Sequence, residues 1–265
     1  MARSLQPAPE RASVVVDGCT LSYLRAGAGP VLVYLHGEDG VWEWEPWMAR
    51  LAERFDLIVP DHPAFGFSDW PDWLDDVHDV AYFYLDAFAA LGLRDVHLIG
   101  HSLGGWIAAE LAVRDRHGLR SLTLVAPGGL RLAGVPKLDR FIIPPEAVVR
   151  AGFADPALAE AELARTRSAG EQDRDLRNRF AVARLQWQPR HDLNLPKWMH
   201  RIALPTQIVW GESDQVIPPA YAAEFARLIP GSRVATIPNC GHFPQVEQSD
   251  AFLRSVTTFI EGIPA

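Results

Sequence analysis

Six consecutive residues, Gly100-His101-Ser102-Leu103-Gly104-Gly105, limit this chain more than anything else in it. The apolar run Val96-His97-Leu98-Ile99 leads into them, and an alanine-rich amphipathic stretch to about Arg114 leads out. Glycines two before and two after the serine keep bulk away from a turn that folds tightly on itself. A serine held between strand and helix in this way is a nucleophile elbow. Its oxygen is lifted clear of the sheet, and the helix that follows points its positive end at negative charge forming nearby. The fold must therefore contain a strand whose carboxyl end opens directly into a packed helix.

The rest of the chain is read around that junction. Val14-Val15-Val16 and Leu21-Ser22-Tyr23-Leu24 flank Asp17-Gly18, a hairpin signal. Val31–Leu35 is a short apolar run of the kind found in strands covered on both faces. A helix is expected from Trp44 to Phe55, then a strand at Asp56–Pro60. Val77, Val80, Tyr84, Phe88 and Leu91 recur at helical spacing until Gly92. Beyond the elbow, Leu122–Val125 is the next strand. Between Ala126 and Leu204 strand-like runs vanish and helix starts replace them, at Pro144-Pro145-Glu146 and Asp155-Pro156, with Gly170 expected to close the second segment. Leu176, Phe180 and Ala183 continue at helical spacing towards Trp187. Strands resume at Thr206–Trp210 and Val234–Ile237, before a last amphipathic helix with Phe252, Val256 and Phe259. Strands alternating with helices behind a hairpin imply an α/β architecture, a mostly parallel sheet with helices on both faces. Reactive groups in such sheets gather at the carboxyl ends of strands.

Bulk properties exclude several classes. The 265 residues suffice for one large α/β domain with an insertion. A net charge of −8 argues against nucleic acid, which calls for a basic face. Two cysteines, Cys19 and Cys240, make no disulfide framework and are expected as reduced thiols. Residues 1–13 are polar and proline-bearing without an apolar segment, so no export signal is expected. No stretch approaches the ~20 apolar residues of a membrane span. The expectation is a cytoplasmic protein, monomer or homodimer, acting on a small molecule.

A neutral serine hydroxyl needs a base. His242, in Asn239-Cys240-Gly241-His242-Phe243, lies just after the last predicted strand, and Asp214 lies just after the strand ending Trp210-Gly211. The order Ser102, Asp214, His242 along the chain is one known to support acyl transfer. Glu212 is the alternative orienting acid. Among other histidines, His101 is locked beside the serine and His97 reads as a packing residue, while His117, His191 and His200 read as surface groups. An oxyanion needs main-chain donors about 3 Å away. Leu103 supplies one by position, and Glu38, in the loop His36-Gly37-Glu38-Asp39-Gly40, is the candidate for the second. The Glu38 side chain should then point away or find a partner. Metal binding finds no support in histidine spacing, since Asp61-His62 stands alone. The elbow glycines do not have dinucleotide spacing, so no cofactor is expected.

On His36-Gly37, Asp61-His62-Pro63-Ala64-Phe65-Gly66-Phe67-Ser68, Gly100–Gly105, Trp210-Gly211-Glu212-Ser213-Asp214 and Gly241-His242, the chain resembles the α/β-hydrolase fold family over nearly its whole length. The resemblance implies an eight-stranded, mostly parallel sheet flanked by helices. It also implies a core formed by residues 1–127 and 205–265, and a helical cap at 128–204 that supplies the substrate surface. Trp106, Phe141, Ile143, Trp187, Arg190 and Phe243 are the candidate lining residues. Leu130, Ile142 and the tryptophans Trp42, Trp44 and Trp47 are further apolar candidates. Cleavage of carboxylic esters through an acyl-enzyme is the activity implied. Carbon–carbon bond hydrolases of aromatic degradation are the alternative; they typically carry asparagine where His101 stands and tryptophan where Phe243 stands. Cofactor-free haloperoxidase or perhydrolase relatives share the triad, and non-hydrolytic ligand receptors also keep the scaffold. Dehalogenase and epoxide hydrolase relatives use an aspartate where this chain has Ser102.

Overall fold

The computed structural model describes residues 8–115, 117–187 and 190–264. Strands β1 (Glu10–Val16) and β2 (Cys19–Ala26) form the expected hairpin. Asp17 and Gly18 both take positive φ, 46° and 75°, as the favoured two-residue hairpin loop demands. Then follow β3 (Val31–Leu35), β4 (Asp56–Pro60), β5 (Val96–His101), β6 (Leu119–Val125), β7 (Thr206–Gly211) and β8 (Arg233–Ile237). They build one sheet in the order β1-β2-β4-β3-β5-β6-β7-β8. The β1–β2 and β2–β4 pairs are antiparallel, and the rest are parallel. Every residue of β5 and β7 is buried, which is why neither shows the polar–apolar alternation of a half-exposed strand.

Helices α1 (Pro46–Ala52), α2 (Val77–Ala90) and α3 (Leu103–Arg114) fall among the first six strands. Between β6 and β7 run α4 (Pro145–Gly152), α5 (Pro156–Ala164), α6 (Ala169–Gln186) and α7 (Leu195–Trp198). The chain closes with α8 (Ala220–Leu228), α9 (Pro244–Glu247) and α10 (Ser249–Glu261). The pleat of β3 divides the core. Val33 and Leu35 join the cluster holding Tyr84 of α2, Ile107 of α3 and Phe225 of α8. Leu32 and Tyr34 face the other way, towards Trp47 of α1 and Phe252 and Val256 of α10. A side-chain period of two thus feeds two helical layers from one strand. None of the described helices is long and apolar enough to cross a membrane.

Some boundaries differ from the sequence reading. The helix expected from Trp44 starts only at Pro46, because proline suits the first helical turn and Trp44 lies before it. Strand β6 begins at Leu119, three residues early. Gly170 does not close a helix. Helix α5 ends at Ala164, and Gly170 lies in the first turn of α6, where Ser168 and Glu171 form a capping box that outweighs the glycine. The connection from β6 to β7 leaves and returns at one place: the Gly128 amide donates to the Ser102 carbonyl at 2.9 Å, and the Asp192 amide to the Gly129 carbonyl at 2.8 Å.

Candidate active site

The elbow forms because three glycines let backbone segments touch. A Cβ on Gly104 would stand 2.1 Å from the Leu35 carbonyl oxygen, and one on Gly100 would stand 2.3 Å from the Gly104 oxygen. Gly105 packs on Pro127 less tightly but still closely, a Cβ there standing 2.7 Å from the Pro127 Cβ. Ser102 sits between them at φ 51°, ψ −112°, a conformation that costs a non-glycine residue about 1–3 kcal/mol. Gly104→Ala is expected to lower stability by about 3 kcal/mol, the upper end for overpacking, because main chain cannot yield as a side chain would. Gly170→Ala is the opposite control. Gly170 is exposed within a helix with only Arg174 Nη1 nearby at 3.8 Å, so the change should add about 0.5–1 kcal/mol. Urea unfolding midpoints of the two variants check both signs.

The loop after β7 carries Asp214, and the loop after β8 carries His242. Gly211, at the end of β7, allows these loops to meet: a Cβ there would stand 2.0 Å from the Gly241 oxygen. His242 Nδ1 and Asp214 Oδ2 are 2.7 Å apart, and His242 Nε2 and Ser102 Oγ are 2.9 Å apart. Asp214 Oδ1 accepts from the amides of Val216 and Ile217 at 2.8 and 2.9 Å. An ionised carboxylate only accepts, so Nδ1 carries the imidazole proton and Nε2 is left to accept from the serine hydroxyl. All three side chains are buried. Burial alone pushes the His242 imidazole down. Asp214, with Glu38 and Asp39 behind it, outweighs burial and holds it above its ordinary value. Glu212, the alternative acid, is exposed.

Four other histidines are committed elsewhere. His101 Nε2 donates to the His242 carbonyl at 2.8 Å, bracing the loop that holds the triad imidazole. Burial, with His242 close by, pushes the His101 ring down to about 4. His36 and His62 form a buried chain: the His62 amide donates to His36 Nε2 at 3.1 Å, and His62 Nε2 donates to the His36 carbonyl at 2.9 Å. The Tyr84 hydroxyl donates to His62 Nδ1 at 2.6 Å. His36 is thus a loop brace. His97 bonds Ser121 at 2.7 Å, and burial pushes its ring down to about 4. Both thiols are buried and free, and burial raises them, Cys19 to about 11 and Cys240 to about 12.

A cavity of about 780 Å³ opens above the triad between the sheet and the β6–β7 connection. Of the sequence candidates, Glu38, Trp106, Phe141, Arg190 and Phe243 line it, together with Trp42 and Trp47. Ile143, Ile142, Trp187, Leu130 and Trp44 do not. Trp187 is 62% exposed and packs edge-on against the outer face of Phe141, ring centres 5.2 Å apart. Leu130 is wholly in the core. The Glu38 side chain, expected to point away or find a partner, has Gln186 Nε2 at 3.4 Å, and Glu38 lines the cavity. Arg190 is paired with Asp139 at 2.8 Å.

Several wall residues had no local signal. Lys137 donates to the Arg190 carbonyl at 2.8 Å, and burial pushes its ammonium down to about 8. Asn178, buried on α6, donates to the Asp39 carbonyl and accepts from the Gly66 amide, each at 3.0 Å. The His242 amide donates to the Gly152 carbonyl at 2.7 Å, at the end of α4. Metal spacing was absent along the chain, yet the fold gathers His78, Glu110 and Asp192 with ligand atoms inside 4.8 Å. Arg114 occupies that cluster, pairing with Glu110 at 2.5 Å and donating to His78 Nδ1 at 2.9 Å. Trp106 Nε1 donates to Glu110 at 3.2 Å, tying the cavity floor to it.

This geometry can be set beside known proteins. A 2-hydroxy-6-oxo-2,4-heptadienoate hydrolase of Pseudomonas putida is 29% identical, across 93% of this chain and 95% of that one. An uncharacterized protein of Mycobacterium tuberculosis is 28% identical, across 93% and 80%. A crystal structure of a membrane phospholipase A superposes with a TM-score of 0.80 at 26% identity, covering 96% of this chain and 86% of that one. The model of the alpha/beta hydrolase fold matches residues 30–249. With its eight-stranded sheet, its serine turn and that match along most of its length, the chain belongs to the α/β-hydrolase fold family.

Proposed function

We propose that the protein is a serine hydrolase that cleaves carboxylic esters. The observation that carries this reading is the unbroken hydrogen-bonded line Asp214–His242–Ser102 beneath the cavity. His242 takes the Ser102 proton as Oγ attacks the ester carbonyl. Negative charge on the carbonyl oxygen is received by the amides of Leu103 and Glu38. Leu103 opens α3, so its amide has no acceptor within the helix. His242 then protonates the departing alcohol, and water activated by the same ring releases the acid. Residues 128–204 act as a cap whose apolar side chains, among them Phe141 and Phe243's neighbour Phe153, receive the acyl chain.

A second reading, carbon–carbon bond hydrolysis of an acidic diketone, has its own support. Lys137 and Arg190 are among the cations in the cavity wall, and the Pseudomonas putida relative is named for such a substrate. The same serine, histidine and aspartate serve both reactions, so only substrates separate them. A panel of chromogenic esters of increasing chain length, run beside a 2-hydroxy-6-oxodienoate, makes the comparison. The ester reading expects kcat/KM for the best ester to exceed that for the dienoate at least tenfold. The reverse order, with both activities lost in Ser102→Ala, gives the reaction to the second reading.

A further inference from the structure

The loop after β3 brings a carboxylate to the part of the cavity where added negative charge is hardest to accommodate. Gly37 is packed so tightly on the elbow that a Cβ there would stand 3.3 Å from Ser102 Cβ and 2.9 Å from His101 Nδ1. The next side chain, Glu38, lines the cavity wall. Gln186 Nε2 reaches its Oε1 only at 3.4 Å, a long hydrogen bond. Burial pushes the Glu38 carboxyl up, but the positive charge of Arg140, with His242 behind it, outweighs burial and holds it below its ordinary value, so it is ionised near neutral pH. The neighbouring cations are engaged elsewhere: Arg140 pairs with Asp39 at 2.8 Å, and Lys137 donates to the Arg190 carbonyl. Among the described residues Glu38 itself forms no ion pair. A carboxylate has about four acceptor sites, and these contacts leave some facing the cavity.

Acyl transfer on Ser102 places a developing oxyanion beside this fixed charge, and the two repel strongly where water is excluded. A substrate that brings a hydrogen-bond donor to Glu38 relieves that repulsion, and one that brings a second anion worsens it. We propose that Glu38 is a specificity-determining residue, selecting substrates that carry a hydrogen-bond donor next to the scissile carbonyl and rejecting those with a carboxylate there. This inference rests on Ser102 being the nucleophile. It does not depend on whether the bond cleaved is an ester or a carbon–carbon bond. It makes the side chain of Glu38 a discriminator while its amide serves the oxyanion.

Three matched fluorophosphonates test it, differing only in whether a hydroxymethyl, an ethyl or a carboxymethyl group sits beside phosphorus. Second-order rates of Ser102 modification, read by mass spectrometry, are compared for the wild type, Glu38→Gln and Glu38→Ala. The wild type should react fastest with the hydroxyl probe and at least tenfold more slowly with the carboxylate probe than with the ethyl one. Glu38→Gln, the same size without charge, should shrink the carboxylate penalty about tenfold and keep the hydroxyl preference. Glu38→Ala should lose both. Rate ratios that stay within twofold across all three proteins overturn the proposal and leave Ser102 as nucleophile. If no probe modifies Ser102 in the wild type, the nucleophile assignment falls and this inference falls with it.

Discussion

Ser102→Ala is expected to lower kcat by about 10⁴- to 10⁶-fold, with the remaining rate supplied by the oxyanion donors and substrate binding. The effect is this large because the hydroxyl is the only atom removed. Alanine keeps Cβ, so the elbow retains the side-chain volume that its positive φ already accommodates. The packing of Gly100, Gly104 and Gly105 is untouched. The unfolding midpoint should therefore move by no more than a degree or two, and a competitive product should still bind. Full time courses with trace wild type excluded are the measurement needed. A variant keeping more than a hundredth of wild-type kcat would remove Ser102 from the chemistry altogether.

Asp214→Asn should cost about 10⁴ in kcat near neutral pH, and the surrounding main chain explains why. Oδ1 of Asp214 already accepts from two amides, Val216 and Ile217. In the variant the asparagine oxygen stays with those donors, so its NH₂ takes the place of Oδ2 and faces His242 Nδ1. Nδ1 must then accept rather than donate, and the imidazole proton moves to Nε2, where it blocks removal of the serine proton. The pH profile carries a second signature. In the wild type the base must be neutral, and Asp214 holds it above the ordinary histidine value of about 6.5. The acid limb of kcat should therefore turn over above pH 6.5 in the wild type. In Asp214→Asn burial no longer meets opposition from that carboxylate, and the limb should shift to lower pH. An unmoved limb would assign the acid-side ionisation to another group.

The elbow and the triad were legible because each depends on local chain geometry. A serine between glycines needs a strand before it and a helix after it. Asp214 and His242 announce themselves as polar residues directly after apolar runs. The central strands β3 to β7 were legible because buried strands leave compact apolar runs, and the β1–β2 hairpin because Asp17-Gly18 marks its turn. The wall of the cavity was not. Glu38 was expected to point away or find a partner, because a carboxylate beside an oxyanion looks unfavourable in isolation, but which partner it would find was not legible. That partner is Gln186, 148 positions further along the chain. Arg190 could be picked out as a cation, but not its pairing with Asp139. Lys137 and Asn178 carry no periodic or spacing signal at all, because their partners come from distant segments. Gly170 misled for a different reason. Glycine marks helix ends on average, yet the Ser168–Glu171 box is the stronger local instruction.

The connection between β6 and β7 begins beside the Ser102 carbonyl at Gly128 and rejoins at Gly129 through Asp192. The connection is tied down elsewhere as well, by Asn178 to Asp39 and Gly66 and by the Gly152 carbonyl to the His242 amide, while Ser102, Asp214 and His242 all lie outside it. Changes in that connection can therefore alter much of the cavity wall while Ser102, Asp214 and His242 keep their places. Diversification then resembles changing the tool head on a fixed handle.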